Sequence, residues 1–407
     1  MREIVLINIT GEDRPGLTAA ITGVLLQGGV SILDIGLAVM HGTLSFGILV
    51  DIPDNEVATS LLQSVQAKGP TKPEPARPAT RRISEADYQH VGRWPRARRA
   101  TSSPCSAARS LQSNCRRGSA VISRYGLTIE RIERLSARVA LDAETDKGKA
   151  AIEISVRGVP SDAEALRADF FALAEELSID IAFQKDDLFR RNRRLAVFDM
   201  DSTLIEAEVI DELAKAAGVG EQVAAITERA MRGELDFRAS FKERMALLKG
   251  LDVGVLDEIG ASLRLTEGAE NLFAELKRLG YKTAILSGGF TYFARQVQAR
   301  LGIDYVFANE LEVVDGKVTG VAVEPIVDAQ RKAELLQKLA SEEGLQLEQT
   351  IAVGDGANDL PMLSLAGLGV AFRAKPLVRQ SAKQAISTLG LDGVLYLLGL
   401  RDRDARG

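Results

Sequence analysis

Residues 4 to 10, Ile-Val-Leu-Ile-Asn-Ile-Thr, are a short apolar run of strand character, and Asp13, Pro15 and Gly16 then open an apolar-periodic stretch closed by Gly28 and Gly29. That order predicts a strand, a capped helix and a stop. Two β-rich stretches follow, Ser31 to Met40 and Thr43 to Ile52, joined at His41-Gly42 as a hairpin, and a helical stretch then runs from about Asp54 to Lys68. The order is βαββα. Much of it returns later: Leu127 to Arg138 and Lys149 to Arg157 read as strands, Ser161 to Leu177 as a helix and Ile179 to Gln184 as a strand. Two related α+β units in tandem are expected. From Arg194 the texture changes to short continuous apolar runs (LAVF, TAILS, YVFA, IAVGD) alternating with helical stretches, the rhythm of a parallel sheet. The cluster Arg190, Arg191, Arg193 and Arg194 reads as a solvated boundary in front of it.

Residues 69–117 break this pattern, with ten Arg, six of the twelve Pro, the only Trp and both cysteines, Cys105 and Cys115. Such a composition cannot bury enough apolar surface to pack well. Two readings stay open, a disordered linker and a compensated reading-frame error in a GC-rich gene. Resequencing the gene across this window separates them.

A chain of 407 residues suggests two or three domains. The net charge of −5, without a basic stripe and aromatic ladder, argues against nucleic acid as a partner. The first ten residues lack the charged-then-apolar layout of a signal peptide, and no apolar run approaches the roughly 20 residues of a membrane span. The expected location is the cytoplasm.

Four short motifs carry candidate chemistry. Leu195-Ala-Val-Phe-Asp199-Met-Asp201-Ser-Thr203 runs a buried-type strand into two carboxylates, placing both at a strand's C-terminal end, where open parallel sheets bind ligands. Taken alone, two Asp before Ser-Thr also suit a helix N-cap. Ile351-Ala-Val-Gly-Asp355-Gly-Ala-Asn358-Asp359 is again a strand running into an acidic, Gly-rich loop, and Asp355 and Asp359 offer hard oxygen ligands of the kind Mg²⁺ prefers. Ala284-Ile-Leu-Ser287-Gly288-Gly289-Phe290 ends a strand in small residues before a helix, whose start offers a hydroxyl and free N–H groups to a phosphate. Lys332 opens a further helix.

In order and strand context these motifs resemble those of the haloacid dehalogenase superfamily over about residues 194 to 395, and Asp-Met-Asp-Ser-Thr resembles the first motif of its phosphoserine phosphatases. The front half, with the loop Thr10-Gly-Glu-Asp-Arg-Pro-Gly-Leu17, resembles ACT domains, which bind amino acids as regulators. The fold class implied is α/β: a HAD-like parallel-sheet (Rossmannoid) catalytic domain at 194–400 with a small helical cap at about 205–265, preceded by two α+β ACT-like, ferredoxin-like modules. The modules span 1–68 and, for the remainder of the second, 118–185, with 69–117 between them.

The resemblance makes Asp199 the nucleophile and Asp201 the general acid and base, with Mg²⁺ held by Asp199, Asp355 and the main-chain carbonyl of Asp201. It implies that Glu208 meets the substrate ammonium, Arg244 its carboxylate and Asn358 the phosphate region. Phe237 shields the pocket, and Ser287, Gly288 and Lys332 offset the phosphate charge. The activity implied is hydrolysis of O-phospho-L-serine to serine, the last step of serine biosynthesis. Two alternatives are a phosphatase or phosphotransferase on another small phosphorylated amino acid such as phosphohomoserine, and an amino-acid-binding regulatory protein. Expected partners are the small-molecule substrate, an amino-acid effector at the ACT-like half and a second copy in a homodimer, with neither nucleic acid nor membrane.

Overall fold

The computed structural model describes residues 3–12, 17–27, 30–40, 43–52, 79–83, 114, 116–137, 150–402 and 404. The chain divides into two units, Met1–Ile179 with Gly399–Gly407, and Asp180–Leu398. No helix among the described residues is long and apolar enough to cross a membrane.

In the first unit the apolar runs become strands β1 (Glu3–Glu12), β2 (Ser31–Met40), β3 (Thr43–Ile52), β4 (Ala79–Ile83), β5 (Thr128–Arg134) and β6 (Ile152–Arg157). They form one six-stranded sheet in the order β4-β1-β3-β2-β5-β6. The registers Ile7↔Ile48 and Val5↔Val50 put buried aliphatic side chains opposite one another, the pairing that stabilises a half-buried sheet. Helix Leu17–Gln27 follows β1 as expected. Helix Ala163–Leu177 starts where the Asp162 side chain accepts from the Glu164 and Ala165 N–H groups, and it buries Leu166, Phe170 and Leu173.

Three differences from expectation stand out here. The two tandem modules share a single sheet, because β5 pairs with β2 (Leu37↔Ile132) and extends the first module's strands. The Arg/Pro-rich segment contributes β4, antiparallel to β1 with Ile4 opposite Ile83. Ile179–Gln184 is not a strand. The Phe183 backbone groups are met by a side chain and not by a ladder, Gln384 accepting from the Phe183 N–H (3.0 Å) and donating to the Phe183 carbonyl (2.8 Å), while the segment's own Asp180 side chain accepts from the Ser387 N–H (2.6 Å). The helix expected at 54–68, the 41–42 turn and residues 13–16 of the Gly-containing loop lie outside the described residues.

The second unit is built on β7 (Leu195–Phe198), β8 (Lys282–Phe290), β9 (Tyr305–Asn309), β12 (Thr350–Gly354), β13 (Leu368–Phe372) and β14 (Gln384–Ile386), with a separate hairpin of β10 (Leu311–Val314) and β11 (Lys317–Ala322). The main sheet is parallel, in the order β14-β13-β12-β7-β8-β9. Every residue of β7, β12 and β13 is buried, which is why these strands read as continuous apolar runs without alternation. Leu195, Val197, Ala284, Leu286 and Ala352 pack with Leu335, Leu336 and Leu339 of helix Ala329–Glu342 on one face. Because the chain leaves β7 for β8 on one side and reaches β12 on the other, a crevice opens at the strands' C-terminal ends beside β7. Between β7 and β8 come the expected cap helices, Val209–Ala216, Gly220–Met231, Phe237–Leu247 and Gly254–Ser262.

Replacing Gln384 with Leu removes the partner of both Phe183 backbone groups. Gln384→Leu should destabilise the protein by about 1–3 kcal/mol, seen as a fall of several degrees in Tm by scanning calorimetry. An unchanged Tm would show that Gln384 does not hold this segment.

Candidate active site

β7 ends at Phe198, so Asp199 and Asp201 are placed by the turn that follows and not by strand alternation. The buried Met200 anchors that turn, its carbonyl accepting from the N–H groups of Thr203 (3.3 Å), Leu204 (2.8 Å) and Ile205 (3.1 Å). Ser202 completes it in the left-handed region, at φ 55°.

Asp199 is held on three sides. Its N–H donates to the Val353 carbonyl (2.9 Å), Oδ1 accepts from the Met200 N–H (2.7 Å), and Oδ2 lies 2.8 Å from Lys332 Nζ. Lys332, on the first turn of helix Ala329–Glu342, is fully buried and also donates to Asp359 Oδ1 at 2.7 Å. Burial pulls the Lys332 ammonium down, but the Asp199 and Asp359 carboxylates outweigh it and hold the lysine above its ordinary value. Asp359 Oδ2 accepts from the Gly356 N–H (3.0 Å), so both its oxygens are engaged. Burial first, then the Asp199 charge, pushes its carboxyl up to about 7.

Asp355 follows β12, and its Oδ1 accepts from Thr203 Oγ1 at 3.2 Å. It too is pushed up to about 7, by burial and then by the charges of Asp199 and Glu208. Carboxylate oxygens of Asp199, Asp355 and Asp359 lie within 4.8 Å of one another, a hard donor set able to hold a divalent cation. Asp201 faces the other way. Its Oδ1 accepts from the Val209 N–H at the head of the first cap helix (3.3 Å), and its Oδ2 lies 2.4 Å from where a Cβ on Gly289 would sit, so a side chain at 289 would push Asp201 out of place. Burial, then Glu208 and Asp199, raises the Asp201 carboxyl well above the usual range.

Strand β8 runs on through Phe290, and its helix starts only at Thr291. Ser287 and Gly288 are therefore at the small-residue end of the strand, as read, and the polar groups expected at the helix start are offered by the strand's end instead. The ladder to β9 breaks between Leu286 and Phe290, freeing this stretch to turn its polar groups toward the site. Ser287 is buried; its Oγ accepts from the Gly289 N–H (2.9 Å), which leaves its own O–H to donate. Phe237 lies over Gly288, its Cζ 3.0 Å from the position a Cβ would take there.

From the cap, Glu208 accepts from Ser202 Oγ at 2.7 Å, and partial burial raises its carboxyl. Arg244 is half-buried, which lowers its guanidinium against the pull of Asp211, Glu208 and Asp201; among the described residues its hydrogen bond is to the Ser240 carbonyl of its own helix (3.4 Å). Asn358 sits half-buried on the turn Ala357–Asp359.

Three contributors were not assigned from sequence. Thr203 holds Asp355, and Asp359, weighed only as an oxygen ligand, is the second partner of Lys332. Asn309, buried at the end of β9, donates to the Gly288 carbonyl (2.8 Å) and accepts from the Val327 N–H (2.7 Å). A polar residue closing the run Tyr305-Val-Phe-Ala at the same sheet edge was the available signal.

Residues 196–364 match the haloacid dehalogenase-like hydrolase family, and residues 3–71 match the ACT domain. A phosphoserine phosphatase of Streptomyces coelicolor is 41% identical over 97% of this chain and 92% of its own. One of Mycobacterium tuberculosis is 39% identical over 97% of this chain and 93% of its own. Among solved structures, a HAD family hydrolase of Salmonella enterica serovar Typhi is 34% identical with a TM-score of 0.59, over 67% of this chain and 90% of that one.

The raised Asp355 carboxyl gives the site a pH signature. Asp355, which no cation among the described residues faces directly, keeps its proton to about pH 7 in the folded, metal-free protein but releases it near pH 4 when unfolded. From about pH 4 to about pH 7 the unfolded state therefore binds fewer protons, and stability falls as pH rises. A cation that takes the proton's place restores it, so saturating Mg²⁺ should raise Tm more at pH 8 than at pH 5. Equal shifts at both pH values would contradict this reading.

Proposed function

The chain belongs to the phosphoserine phosphatases of the haloacid dehalogenase-like hydrolase family and carries an ACT domain; from that membership we propose that it hydrolyses O-phospho-L-serine through a phospho-aspartate on Asp199. The observation that carries the proposal is the clamp on Asp199, whose two oxygens are fixed by Lys332 Nζ and the Met200 N–H beside an Asp201 whose carboxyl burial and neighbouring charge raise well above the usual range.

In the first step a carboxylate oxygen of Asp199 attacks phosphorus and the bond from phosphorus to the serine oxygen breaks. Asp201 gives its proton to that oxygen, which would otherwise leave as a strongly basic alkoxide. Asp201 then takes a proton from a water that attacks the phospho-aspartate, releasing phosphate and regenerating Asp199. Lys332, the Ser287 O–H and the Gly288 backbone N–H offset the charge on the phosphoryl oxygens.

The donor chemistry fits magnesium. Family membership makes Asp199, Asp355 and the Asp201 carbonyl the residues that would hold it, and the raised Asp355 carboxyl marks a spot short of positive charge. Bound Mg²⁺ supplies the charge that lets a carboxylate approach a phosphate dianion.

The cap supplies selectivity for a zwitterion. Glu208 suits the substrate ammonium, and Arg244, bonded only within its own helix among the described residues, has N–H groups to spare for the carboxylate. Asn358 contacts the phosphate region, and Phe237 closes the pocket over Gly288.

Arg244→Ala should lose roughly 10- to 150-fold in kcat/KM for phosphoserine, the worth of a charge-assisted pair. Phosphoethanolamine keeps the phosphate and ammonium but lacks the carboxylate; the wild type should process it poorly, and Arg244→Ala should barely change that rate. Equal losses on both substrates would mean that Arg244 supports the cap and does not read the substrate.

A further inference from the structure

We propose that Arg238 is a positioning residue: its ion pair with Asp328 sets the rotation of the cap helix Phe237–Leu247 and thereby aims Phe237 and Arg244 at the phosphate-binding edge of the sheet. The inference rests on the substrate reading above and names a residue with no part in it so far.

Phe237 and Arg244 are seven residues apart, two turns, and so share one face of their helix. Phe237 lies on Gly288, and Phe241, one turn along, lies 6.0 Å from Phe290 between ring centres. Apolar contacts of this kind bring the helix down but are not directional. Arg238 is one residue on from Phe237, about 100° round the helix. A bond made there fixes the angle at which the Phe237 and Arg244 face meets the core.

The bond is specific. Arg238 Nε lies 2.6 Å from Asp328 Oδ2 and Arg238 Nη1 3.3 Å from Glu324 Oε2, with Lys242, one turn on, 3.4 Å from Glu324 Oε1. Asp328 is no ordinary surface acid. Its side chain is only 15% exposed, and its Oδ1 accepts from the Arg331 N–H (2.9 Å) as the N-cap of helix Ala329–Glu342, which carries Lys332. Burial pushes the Asp328 carboxyl up, but the Arg331 N–H and Arg238 outweigh it and hold it below its ordinary value. One oxygen of Asp328 thus starts the helix that holds the nucleophile, and the other holds the helix that reads the substrate.

At the opposite edge of the cap, helix Gly254–Ser262 is tied to helix Thr291–Leu301 by neutral donors or acceptors as well as charge. The Tyr292 hydroxyl bonds Asp257, and Arg300 donates to the Leu263 carbonyl (2.9 Å). The edge that carries Phe237 and Arg244 is joined to the approach to the Lys332 helix by ion pairs.

A double-mutant cycle of Arg238→Ala, Asp328→Asn and both together tests this. Asn preserves the N-cap acceptor while removing the charge. Each single variant should raise KM for phosphoserine about 2- to 5-fold with kcat little changed, and the double variant should be no worse than the poorer single. Hydrogen exchange of residues 238–247 in the free protein should quicken in each single variant and no further in the double. Unchanged exchange in Arg238→Ala, or losses that add in the double variant, would overturn the proposal. If phosphoserine is not turned over at all, the substrate reading fails, while exchange still decides the role of Arg238.

Discussion

Everything at the sheet edge depends on one fully buried ammonium, Lys332 Nζ, set 2.8 Å from Asp199 and 2.7 Å from Asp359. An unpaired charge in that position would cost several kcal/mol, so the lysine is tolerable only with both carboxylates in place, and they only with it. Helix Ala329–Glu342 must therefore be docked before the site can form, and its docking is secured by Leu335, Leu336 and Leu339 in the sheet core. The same constraint divides labour among the acids. Asp359 spends both oxygens on structure, Asp355 lies where negative charge is least relieved, and Asp201, turned toward Gly289, has its carboxyl raised well above the usual range, as the proposed proton carrier requires.

In the proposed function, core and cap read different parts of the substrate. The sheet edge gathers groups suited to a phosphoryl group from four separate segments, after β7, within β8, on the Lys332 helix and after β12. The cap adds the opposite charges Glu208 and Arg244, which suit the ammonium and carboxylate of an amino acid. Asn309 joins two of these segments by bonding the Gly288 carbonyl and the Val327 N–H, so β8 and the approach to the Lys332 helix share one buried amide.

Much of this was legible in the sequence because buried parallel strands advertise themselves as apolar runs. LAVF and IAVG became β7 and β12 with every residue buried, and the acids that follow them fell at one edge. What escaped depended on contacts distant in sequence. Asn309 looks like the end of a strand until Gly288 is seen beside it, and Asp359 looks like a turn residue until Lys332 arrives from 27 positions away. The strand read at Ile179–Gln184 failed for the same reason: its apolar pattern is real, but the distant Gln384 side chain satisfies both Phe183 backbone groups without a ladder. Ser287 and Gly288 fell at the small-residue end of their strand as read, but the break in strand pairing there leaves no mark in a run of small residues.

The central claim is covalent transfer to Asp199, and trapping the intermediate tests it most directly. Turnover of phosphoserine quenched with acid, treated with hydroxylamine and mapped by mass spectrometry should show a hydroxamate on Asp199, since an acyl phosphate reacts there and an ordinary carboxylate does not. The Asp199→Asn protein should show none and should not turn over. Rapid phosphate release with no trapped adduct, or an adduct on another residue, would contradict the account.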